Sequence, residues 1–384
     1  MTETMKETTS TSQLVPIPWA KPTLFGDEEA LVLDARRSSW ISGGRFVTRL
    51  EKEMSEITGA RHAIAVSNGT TALELAFRGL GIGSGDEVIV PAFTFVAPVN
   101  MALSLGARPT FADVDPDTWL LDCASVEQLI TERTKAIVPV HLYGNVAEMD
   151  SIAAIARRHS IAIVEDNAEA AFSRYNGRHA GTFGTIGTFS FQATKTITTG
   201  EGGMVVTDDD EIAARMRLLR DHGMRQNQRY WHDVVGYNFR LTNLQAAFGC
   251  AQLQHLPKII QQRKRVHASY AHALASIPDI SPQCYRQQVD PVLWAMALRL
   301  TSAGTTDASR ARRDAVMSRM ANDGIETRPG FYSLDLLPPY SCPRLPVAAD
   351  VSANVISLPT FVDLSDEDVA RICSSLKAAL RETK

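Results

Sequence analysis

The sequence predicts an α/β fold with a mostly parallel central sheet, helices on both faces of that sheet and a smaller C-terminal α+β domain. From about residue 61, short apolar segments alternate with longer segments of helical periodicity. Short buried strands that alternate with helices are typical of a parallel sheet covered on both sides. The predicted strands are Ala63–Val66, Glu87–Val90, Arg108–Ala112, Ala136–Val140, Ile161–Val164, Ile186–Phe191 and Met204–Val206, with helices such as Thr71–Leu80 and Met149–His159 between them.

A different pattern follows Thr242 and predicts a second domain. A long helical segment with an expected break at Pro257 leads out of the first domain. The last helix begins at the capping box Ser365–Asp368. The other elements predicted here are the helical segment Asn243–Ile277, the strand Val292–Leu300 and the helix Thr306–Asn322, which Gly324 closes. We therefore expect an N-terminal tail and arm over residues 1–30, a large domain over 31–255 and a small C-terminal domain over 256–384.

Composition and charge argue against several classes of function. The chain has 384 residues, a formal net charge of −4 and 45% hydrophobic residues, as expected for an ordinary globular protein. This charge gives no electrostatic reason for nucleic acid or an anionic membrane as a partner. No apolar run approaches the ~20 residues that cross a bilayer, and residues 1–13 lack the apolar core of a signal peptide. The five cysteines form no Cys-x-x-Cys pair, so we expect a reducing cytoplasmic location.

Lys195 lies in the most informative segment of the chain, Phe189–Gly203. The apolar run Ile186–Phe191 precedes it and Met204–Val206 follows it, so the lysine lies on a turn between two buried strands. A lysine at such a position can be partly removed from water, and its neutral amine can form a Schiff base. The glycines that follow allow the backbone to pass close to a bulky ligand. A solvated turn lysine is the alternative, because lysine is rarely buried.

The turn Ser67–Thr71 is a second candidate, since it joins a predicted strand to a predicted helix. Its free backbone N–H groups, its hydroxyl groups and the helix dipole together suit a phosphate group. A plain helix cap is the alternative, because serine, asparagine and threonine are good capping residues.

Further candidates follow two other predicted strands. Asp166 comes shortly after Ile161–Val164, where a carboxylate could keep a pyridinium nitrogen protonated, as pyridoxal phosphate (PLP) requires. A turn or helix cap is the alternative for Asp166. Phe93 and Phe95 follow the strand that ends at Val90. One of them could stack on an aromatic cofactor, although aromatic residues in such loops more often pack in the core.

Three other patterns suggest no function by themselves. Gly81–Gly85 resembles a dinucleotide-binding loop, but it lacks the third glycine and follows a helix instead of a strand. The nine histidines show no metal-ligand spacing, so we expect no metal site. The polar, aromatic turn Gly236–Asn243 has no evident role in its own domain.

Taken together, five segments resemble the DegT/StrS family of PLP-dependent aminotransferases. The resemblance covers about residues 15–380, and the core Lys195–Gly203 is highly specific for the family. It implies PLP as the cofactor, the fold of the aspartate aminotransferase class (fold type I) and action on the keto groups of nucleotide-linked sugars. The segments that match the family in order and spacing are Ser67–Leu73, Pro91–Ala97, Glu165–Ala170, Phe189–Met204 and Gly236–Asn243.

The resemblance also implies a role for each candidate cofactor residue. Lys195 would bind the cofactor covalently and, once released, move the substrate proton. Asp166 would pair with the pyridine nitrogen, and Glu169 would lie beside the ring hydroxyl. Phe95 would stack on the ring, which leaves Phe93 as a packing residue. The implied phosphate site consists of Gly69, Thr70, Ser190 and, from the neighbouring subunit of a homodimer with shared active sites, Asn238.

The retained Lys195 implies amino transfer, because a dehydratase branch of the family has histidine at this position. L-Glutamate would donate the amino group to a keto-sugar nucleotide. Three loops resemble those of family members that convert GDP-4-keto-6-deoxy-D-mannose into GDP-perosamine. This product would be the nucleotide-linked form of a sugar of lipopolysaccharide O-antigens. The candidate substrate residues on these loops are His141, Tyr143, Trp231 and Arg328, and dimer-interface packing is the alternative for Trp231.

Other members of the family leave alternatives open. The acceptor could be a dTDP- or UDP-linked keto-sugar, or a cyclitol or aminobenzoate precursor without a nucleotide. A non-catalytic regulator with the same fold is a remote alternative, since such a protein would be expected to lose cofactor residues that this chain retains.

Overall fold

The computed structural model describes residues 15–225, 227–301 and 303–383, so residues 1–14 of the expected N-terminal tail lie outside the described residues. Strands and helices alternate through the first half of the described chain. The strands are β1 (His62–Val66), β2 (Glu87–Pro91), β3 (Arg108–Ala112), β4 (Thr134–Ile137), β5 (Ala162–Asp166), β6 (Arg174–Tyr175), β7 (Arg178–His179), β8 (Ile186–Ser190), β9 (Gly203–Thr207), β10 (Ile280–Pro282), β11 (Val289–Asp290), β12 (Met296–Leu300), β13 (Arg328–Pro329) and β14 (Val355–Leu358). The α-helices are α1 (Asp27–Arg37), α2 (Arg45–Thr58), α3 (Gly69–Gly79), α4 (Ala97–Ser104), α5 (Cys123–Leu129), α6 (Met149–His159), α7 (Asp210–Arg220), α8 (Asn243–Gln254), α9 (Leu256–Leu274), α10 (Thr306–Asn322), α11 (Pro346–Asn354) and α12 (Asp366–Glu382).

Seven strands form the central sheet in the order β3-β2-β4-β5-β8-β9-β1. Only β9 runs antiparallel to its neighbours in this sheet, and the remaining pairs are parallel. The carboxyl ends of the other six strands therefore meet at one edge. Ligands of open α/β sheets bind at this edge. The predicted mostly parallel sheet is confirmed.

Both faces of the sheet are buried, as strand β1 shows. Ile64 and Val66 pack in one hydrophobic cluster with residues of α3, whereas Ala63 and Ala65 pack in a second cluster with residues of α2 and α8. Side chains of a strand alternate between the two faces, so helices must cover each of them. This explains why the strand reads as a continuous apolar run in the sequence.

Several strand ends differ from the sequence prediction, and three of them bear on the site. Strand β4 ends at Ile137 instead of Val140, and Val140 forms a single bridge with Asp166. Strand β5 continues to Asp166, so this carboxylate is carried by the last residue of the strand. Strand β12 begins at Met296 instead of Val292. The residues before it turn towards the large domain, where the N–H of Trp294 donates to the carbonyl of Tyr143 at 3.3 Å.

The C-terminal part forms its own sheet, in the order β10-β12-β14-β13, which packs with α9, α10 and α12. The predicted helix break is present, because α8 ends at Gln254 and α9 begins at Leu256. The predicted capping box is also present, and the N–H of Asp368 donates to Ser365 Oγ at 3.0 Å. The domain boundaries at residues 30 and 255 remain predictions.

The N-terminal arm packs on this C-terminal part. The N–H of Ile17 donates to the carbonyl of Gly324 at 2.8 Å, and the N–H of Trp19 donates to Glu326 at 3.0 Å. The arm thus contacts a segment that lies more than 300 residues further along the chain. No helix in the part of the chain that the structure describes is long and apolar enough to cross a membrane.

Candidate active site

A cavity of about 620 Å³ lies at the carboxyl edge of the central sheet. It receives residues from the turn after β1, the loop after β2, the end of β5 and the turn after β8. The sheet thus brings together candidates that lie up to 126 residues apart in the chain, Gly69 and Lys195. The residues around it include Trp19, Asn68, Gly69, Thr70, Thr71, Phe95, Asp166, Glu169, Ser190, Lys195, Trp294 and Phe331.

The turn after β1 has the geometry of an anion site. Asn68 caps α3, since its Oδ1 accepts from the N–H of Thr71 at 2.8 Å. The first N–H groups of a helix have no acceptor within the helix, and those of Gly69 and Thr70 have none elsewhere in the described chain. A Cβ at Gly69 would lie 2.8 Å from the Cβ of Ser190, so glycine permits the close approach of the two segments. These N–H groups and the Ser190 hydroxyl suit a phosphate.

The lysine turn is held by short-range hydrogen bonds. The N–H of Lys195 donates to the carbonyl of Gln192 at 2.9 Å, and Gln192 Oε1 accepts from the N–H of Thr194 at 2.8 Å. The side chain of Lys195 is 14% exposed, and its Nζ lies 3.6 Å from Glu169 Oε1. The amine therefore points into the cavity beside a carboxylate.

Two buried carboxylates face Lys195 from the end of β5 and the segment after it. Burial raises the pKa of Asp166. The hydrogen bond from the N–H of Ala168 and the charge of Lys195 both act against this rise. Burial also raises the pKa of Glu169 to about 7, opposed mainly by Lys195. The N–H of Tyr143 donates to Glu169 Oε2 at 3.1 Å. Glu169 can consequently change its protonation near neutral pH.

Asp166 retains an unused oxygen. Its Oδ1 accepts from the N–H of Ala168 at 3.1 Å, whereas Oδ2 has no hydrogen-bond partner among the described residues. Since Asp166 lines the cavity, a ligand that donates a hydrogen bond would satisfy this oxygen.

Aromatic side chains form another part of the cavity lining. Trp19 and Trp294 meet edge to face with ring centroids 5.3 Å apart, and Phe331 lies 6.1 Å from Phe95. Tyr143 stacks behind them on Trp294 and on Phe331, at 6.2 and 5.9 Å. We call Trp19, Trp294 and Phe331 the aromatic wall. Such rings offer apolar contact area together with few polar groups, as ligand pockets commonly do.

The sequence matches the model of the DegT/DnrJ/EryC1/StrS aminotransferase family over residues 23–377. The chain belongs to this family. GDP-perosamine synthase of Caulobacter vibrioides is 43% identical over 96% of this chain and 100% of its own length. GDP-perosamine synthase of Escherichia coli O157:H7 is 40% identical over 94% and 97% of the two chains.

Solved structures agree with this assignment. A Streptococcus pneumoniae protein assigned as a sugar aminotransferase, in its PLP form, is 30% identical with a TM-score of 0.91, over 96% of this chain and 100% of its own. A 3-amino-5-hydroxybenzoic acid synthase is also 30% identical, with a TM-score of 0.89 over 96% and 100%. The protein is a PLP-dependent aminotransferase of fold type I.

One relative carries a different description. The pleiotropic regulatory protein of Geobacillus stearothermophilus is 38% identical over 88% of this chain and 90% of its own length. That name describes no reaction, whereas the cavity of this chain holds Lys195 with Asp166 and Glu169.

The residues of this aminotransferase fit PLP. The free N–H groups of Gly69 and Thr70 suit the phosphate, and the unused oxygen of Asp166 suits a protonated ring nitrogen. Phe95 is 53% exposed at the cavity, where it could stack on a ring, whereas Phe93 is fully buried. The exposed ring of Phe95 is therefore available to a ring bound in the cavity.

The structure places the candidate substrate residues less uniformly. His141 is fully buried, and its Nδ1 accepts from the N–H of Ala147 while Nε2 lies 3.0 Å from Glu165. It does not line the cavity, and it only partly opposes the rise that burial causes in the pKa of Asp166. Tyr143 is likewise buried behind the aromatic wall. Both residues therefore lie in the layer behind the cavity surface.

Arg328, Trp231 and Asn238 lie outside the cavity of their own chain. Arg328 is exposed, and its guanidinium lies 5.8 Å from the ring centroid of Trp19 at the aromatic wall. Trp231 is 52% exposed on the loop after α7, and Asn238 is exposed beyond it. Neither of the last two is brought to the cavity by a single chain.

No sequence pattern marks the two tryptophans of the aromatic wall. Trp294 lies within an apolar run that reads as strand, and Trp19 lies in the N-terminal arm. Their contacts join distant segments, for example the indole N–H of Trp294 to the carbonyl of Thr194 at 2.9 Å. Only the fold shows that these distant residues meet. For Phe331 the sequence does give an indication, because it lies in a segment that resembles substrate-side loops of the family.

Proposed function

We propose that this aminotransferase moves the amino group of L-glutamate to C4 of GDP-4-keto-6-deoxy-D-mannose, which gives GDP-perosamine and 2-oxoglutarate. The observation that carries the catalytic part is the single cavity that holds Lys195, Asp166, Glu169 and the anion-binding turn. Two GDP-perosamine synthases that are 43% and 40% identical to this chain support the choice of acceptor.

Bound PLP supplies an electron sink for the bond changes at the amino-bearing carbon. We assign Lys195 to covalent attachment and, once its amine is free, to carrying the proton at the substrate carbon. Asp166 would accept a hydrogen bond from the ring nitrogen and so hold a proton there. Glu169 would lie beside the ring and, with a pKa near 7, exchange a proton with its surroundings. Gly69, Thr70 and Ser190 would bind the phosphate.

We further propose a homodimer with shared sites. The amide nitrogen of Asn238 has no acceptor among the described residues, so it is free to donate to a phosphate in the partner. Large apolar side chains are exposed at Trp40 and Ile41, whose carbonyls accept from Asn243 at the start of α8, and on the loop with Trp231 and Val235. Exposed apolar patches of this kind mark interaction surfaces. We expect the enzyme in the cytoplasm, where sugar nucleotides and glutamate are available.

A mixed dimer tests the shared site. A Lys195→Ala chain and an Asn238→Ala chain should together form one intact site, from Lys195 of one chain and Asn238 of the other. Loss of a hydrogen bond to a charged group costs ~1.5–3 kcal/mol, so Asn238→Ala homodimers should be assayed at limiting PLP. Mixed dimers no more active than the average of the two homodimers would show that each site uses one chain.

Separate incubations with different acceptors test the choice of substrate. The purified enzyme with PLP and L-glutamate is given GDP-4-keto-6-deoxy-D-mannose, its dTDP or UDP counterpart, or a keto-cyclitol. Mass spectrometry then identifies the aminated products. We expect amination of the GDP-sugar, and none in the Lys195→Ala control. Faster amination of another acceptor would replace the proposed substrate. No amination of any acceptor, with PLP absent from the purified chain, would favour a regulatory role.

A further inference from the structure

Arg263 on α9 lies fully buried behind the lysine turn without a carboxylate partner among the described residues. Burial lowers its pKa to about 10, so it remains charged at neutral pH. Its Nε has no hydrogen-bond partner within the described chain. Burying a charge without a counter-ion is unfavourable, so we expect this guanidinium to have a role other than filling space in the core.

The guanidinium joins three backbone carbonyls. Nη1 donates to the carbonyls of Leu293 at 2.9 Å and Trp294 at 3.2 Å. Nη2 lies 3.5 Å from the carbonyl of Lys195 and approaches it as a donor. One side chain therefore links the lysine turn to the segment that carries Trp294. The planar guanidinium makes these contacts from two separate nitrogens, whereas a lysine would have to make them from a single nitrogen.

Trp294 completes the arrangement from the cavity side. Its indole N–H donates to the carbonyl of Thr194, and its ring centroid lies 4.0 Å from Nζ of Lys195. An ammonium group at this distance is attracted by the negative face of the ring. Glu169 Oε1 lies 3.6 Å from the same Nζ. The amine of Lys195 is thus held between an aromatic face and a carboxylate.

We propose that Trp294 is the resting place of the Lys195 amine whenever that amine is not bound to the cofactor, and that Arg263 is a positioning residue that fixes Trp294 there. The inference rests on the proposed role of Lys195 in amino transfer. In each half-reaction the amine is released and must stay close to the substrate carbon to move its proton. A defined resting place would keep it within reach.

Fluorinated tryptophans test the contact directly. Fluorine weakens the negative face of the ring but keeps its shape and its N–H group, so site-specific incorporation at Trp294 separates the cation–π contact from packing. Trp119 serves as the matched control, because it is buried and contacts Tyr143 but does not line the cavity. In the cofactor-free protein, the acetylation rate of Lys195 is measured by peptide mass spectrometry relative to that of exposed Lys52.

We expect the acetylation rate to rise stepwise by about 2- to 30-fold in total as fluorine is added at Trp294, which is the range of a cation–π contact. The Trp119 series should leave the rate unchanged. In the PLP-loaded enzyme, the same Trp294 series should lower kcat with little change in KM for the keto-sugar. Equal acetylation rates across the Trp294 series, or an unchanged kcat, would overturn the inference.

Arg263→Met and Arg263→Lys provide the second arm. We expect the Met variant to lose about 10-fold in kcat, less than the ~10²-fold that a misplacement of about 1 Å can cost, and the Lys variant to recover only part of that loss. If Arg263→Met does not fold, as circular dichroism would show, the fluorotryptophan series still decides. Full kcat in a folded Arg263→Met protein would remove Arg263 from the proposal. Failure of the proposed function would appear separately, as absent amino transfer by the unmodified enzyme.

Discussion

The two sides of the cavity are built differently. The cofactor side, with Lys195, Asp166 and Glu169, comes from neighbouring strand ends of one sheet. The aromatic wall comes from the N-terminal arm, the segment before β12 and the segment after β13. Strand register fixes the first set, whereas packing between distant parts of the chain fixes the second. We infer that the cofactor side, together with Trp294 beside Lys195, governs the reaction, and that Trp19 and Phe331 govern acceptor binding.

Asp166→Asn should show the largest difference between the effect on kcat and the effect on KM. If the carboxylate holds a proton on the ring nitrogen, its loss should lower kcat by ~10²-fold or more, as removal of one positioned electrostatic group does. KM for the keto-sugar should change little, because the aromatic wall is untouched. Steady-state kinetics and a PLP-retention assay measure both effects. Asp210→Asn, on the exposed start of α7, is the control; near-native turnover of Asp166→Asn would reduce Asp166 to a structural residue.

Glu169→Gln should alter the pH dependence of stability. The pKa of Glu169 is about 7 in the folded chain and ordinarily 4.5, a difference that corresponds to about 3 kcal/mol. Below pH 4.5 the group is protonated in both states. Between pH 4.5 and about 7 the unfolded chain releases this proton while the folded chain keeps it. The free energy of unfolding therefore falls by up to about 3 kcal/mol as the pH rises through this range.

A glutamine at position 169 cannot ionise, so the Glu169→Gln variant should not show this fall in the free energy of unfolding. Denaturant unfolding of the cofactor-free protein at about pH 5 and pH 8 measures the effect, with Glu169→Gln losing less stability than the wild type by up to about 3 kcal/mol. Parallel pH profiles for the two proteins would mean that Glu169 is ionised throughout, and the cofactor side would then carry a fixed charge.

Trp19→Ala should act on the aromatic wall alone. Its ring lines the cavity and its indole N–H is held by Ser357 Oγ at 3.0 Å. Loss of the ring should raise KM for the keto-sugar nucleotide about 10-fold, the size of one aromatic contact, with kcat and PLP retention close to native. Trp19→Phe should lie between. A Trp19→Ala variant that loses PLP but keeps KM would reverse the division between the two sides.

The sequence predicts the cofactor side well and the aromatic wall poorly. The lysine turn, the cap at Asn68 and the apolar strands are local patterns, and the sheet places them together without further information. The burial of His141 and the start of β12 at Met296 depend on contacts such as that of Trp294 with Tyr143, which no local pattern encodes. Arg263 reads as one more charge on a helix until its surroundings are known.

Borohydride reduction of the PLP-loaded enzyme tests the central claim most directly. Reduction makes the bond between the cofactor and its lysine permanent, and peptide mass spectrometry then locates it. Lys195 is the lysine that the structure places in the cavity beside Asp166 and Glu169. The account predicts a reduced adduct on Lys195 and no adduct in Lys195→Ala. An adduct on any other lysine, or on the Lys195→Ala chain, would contradict it.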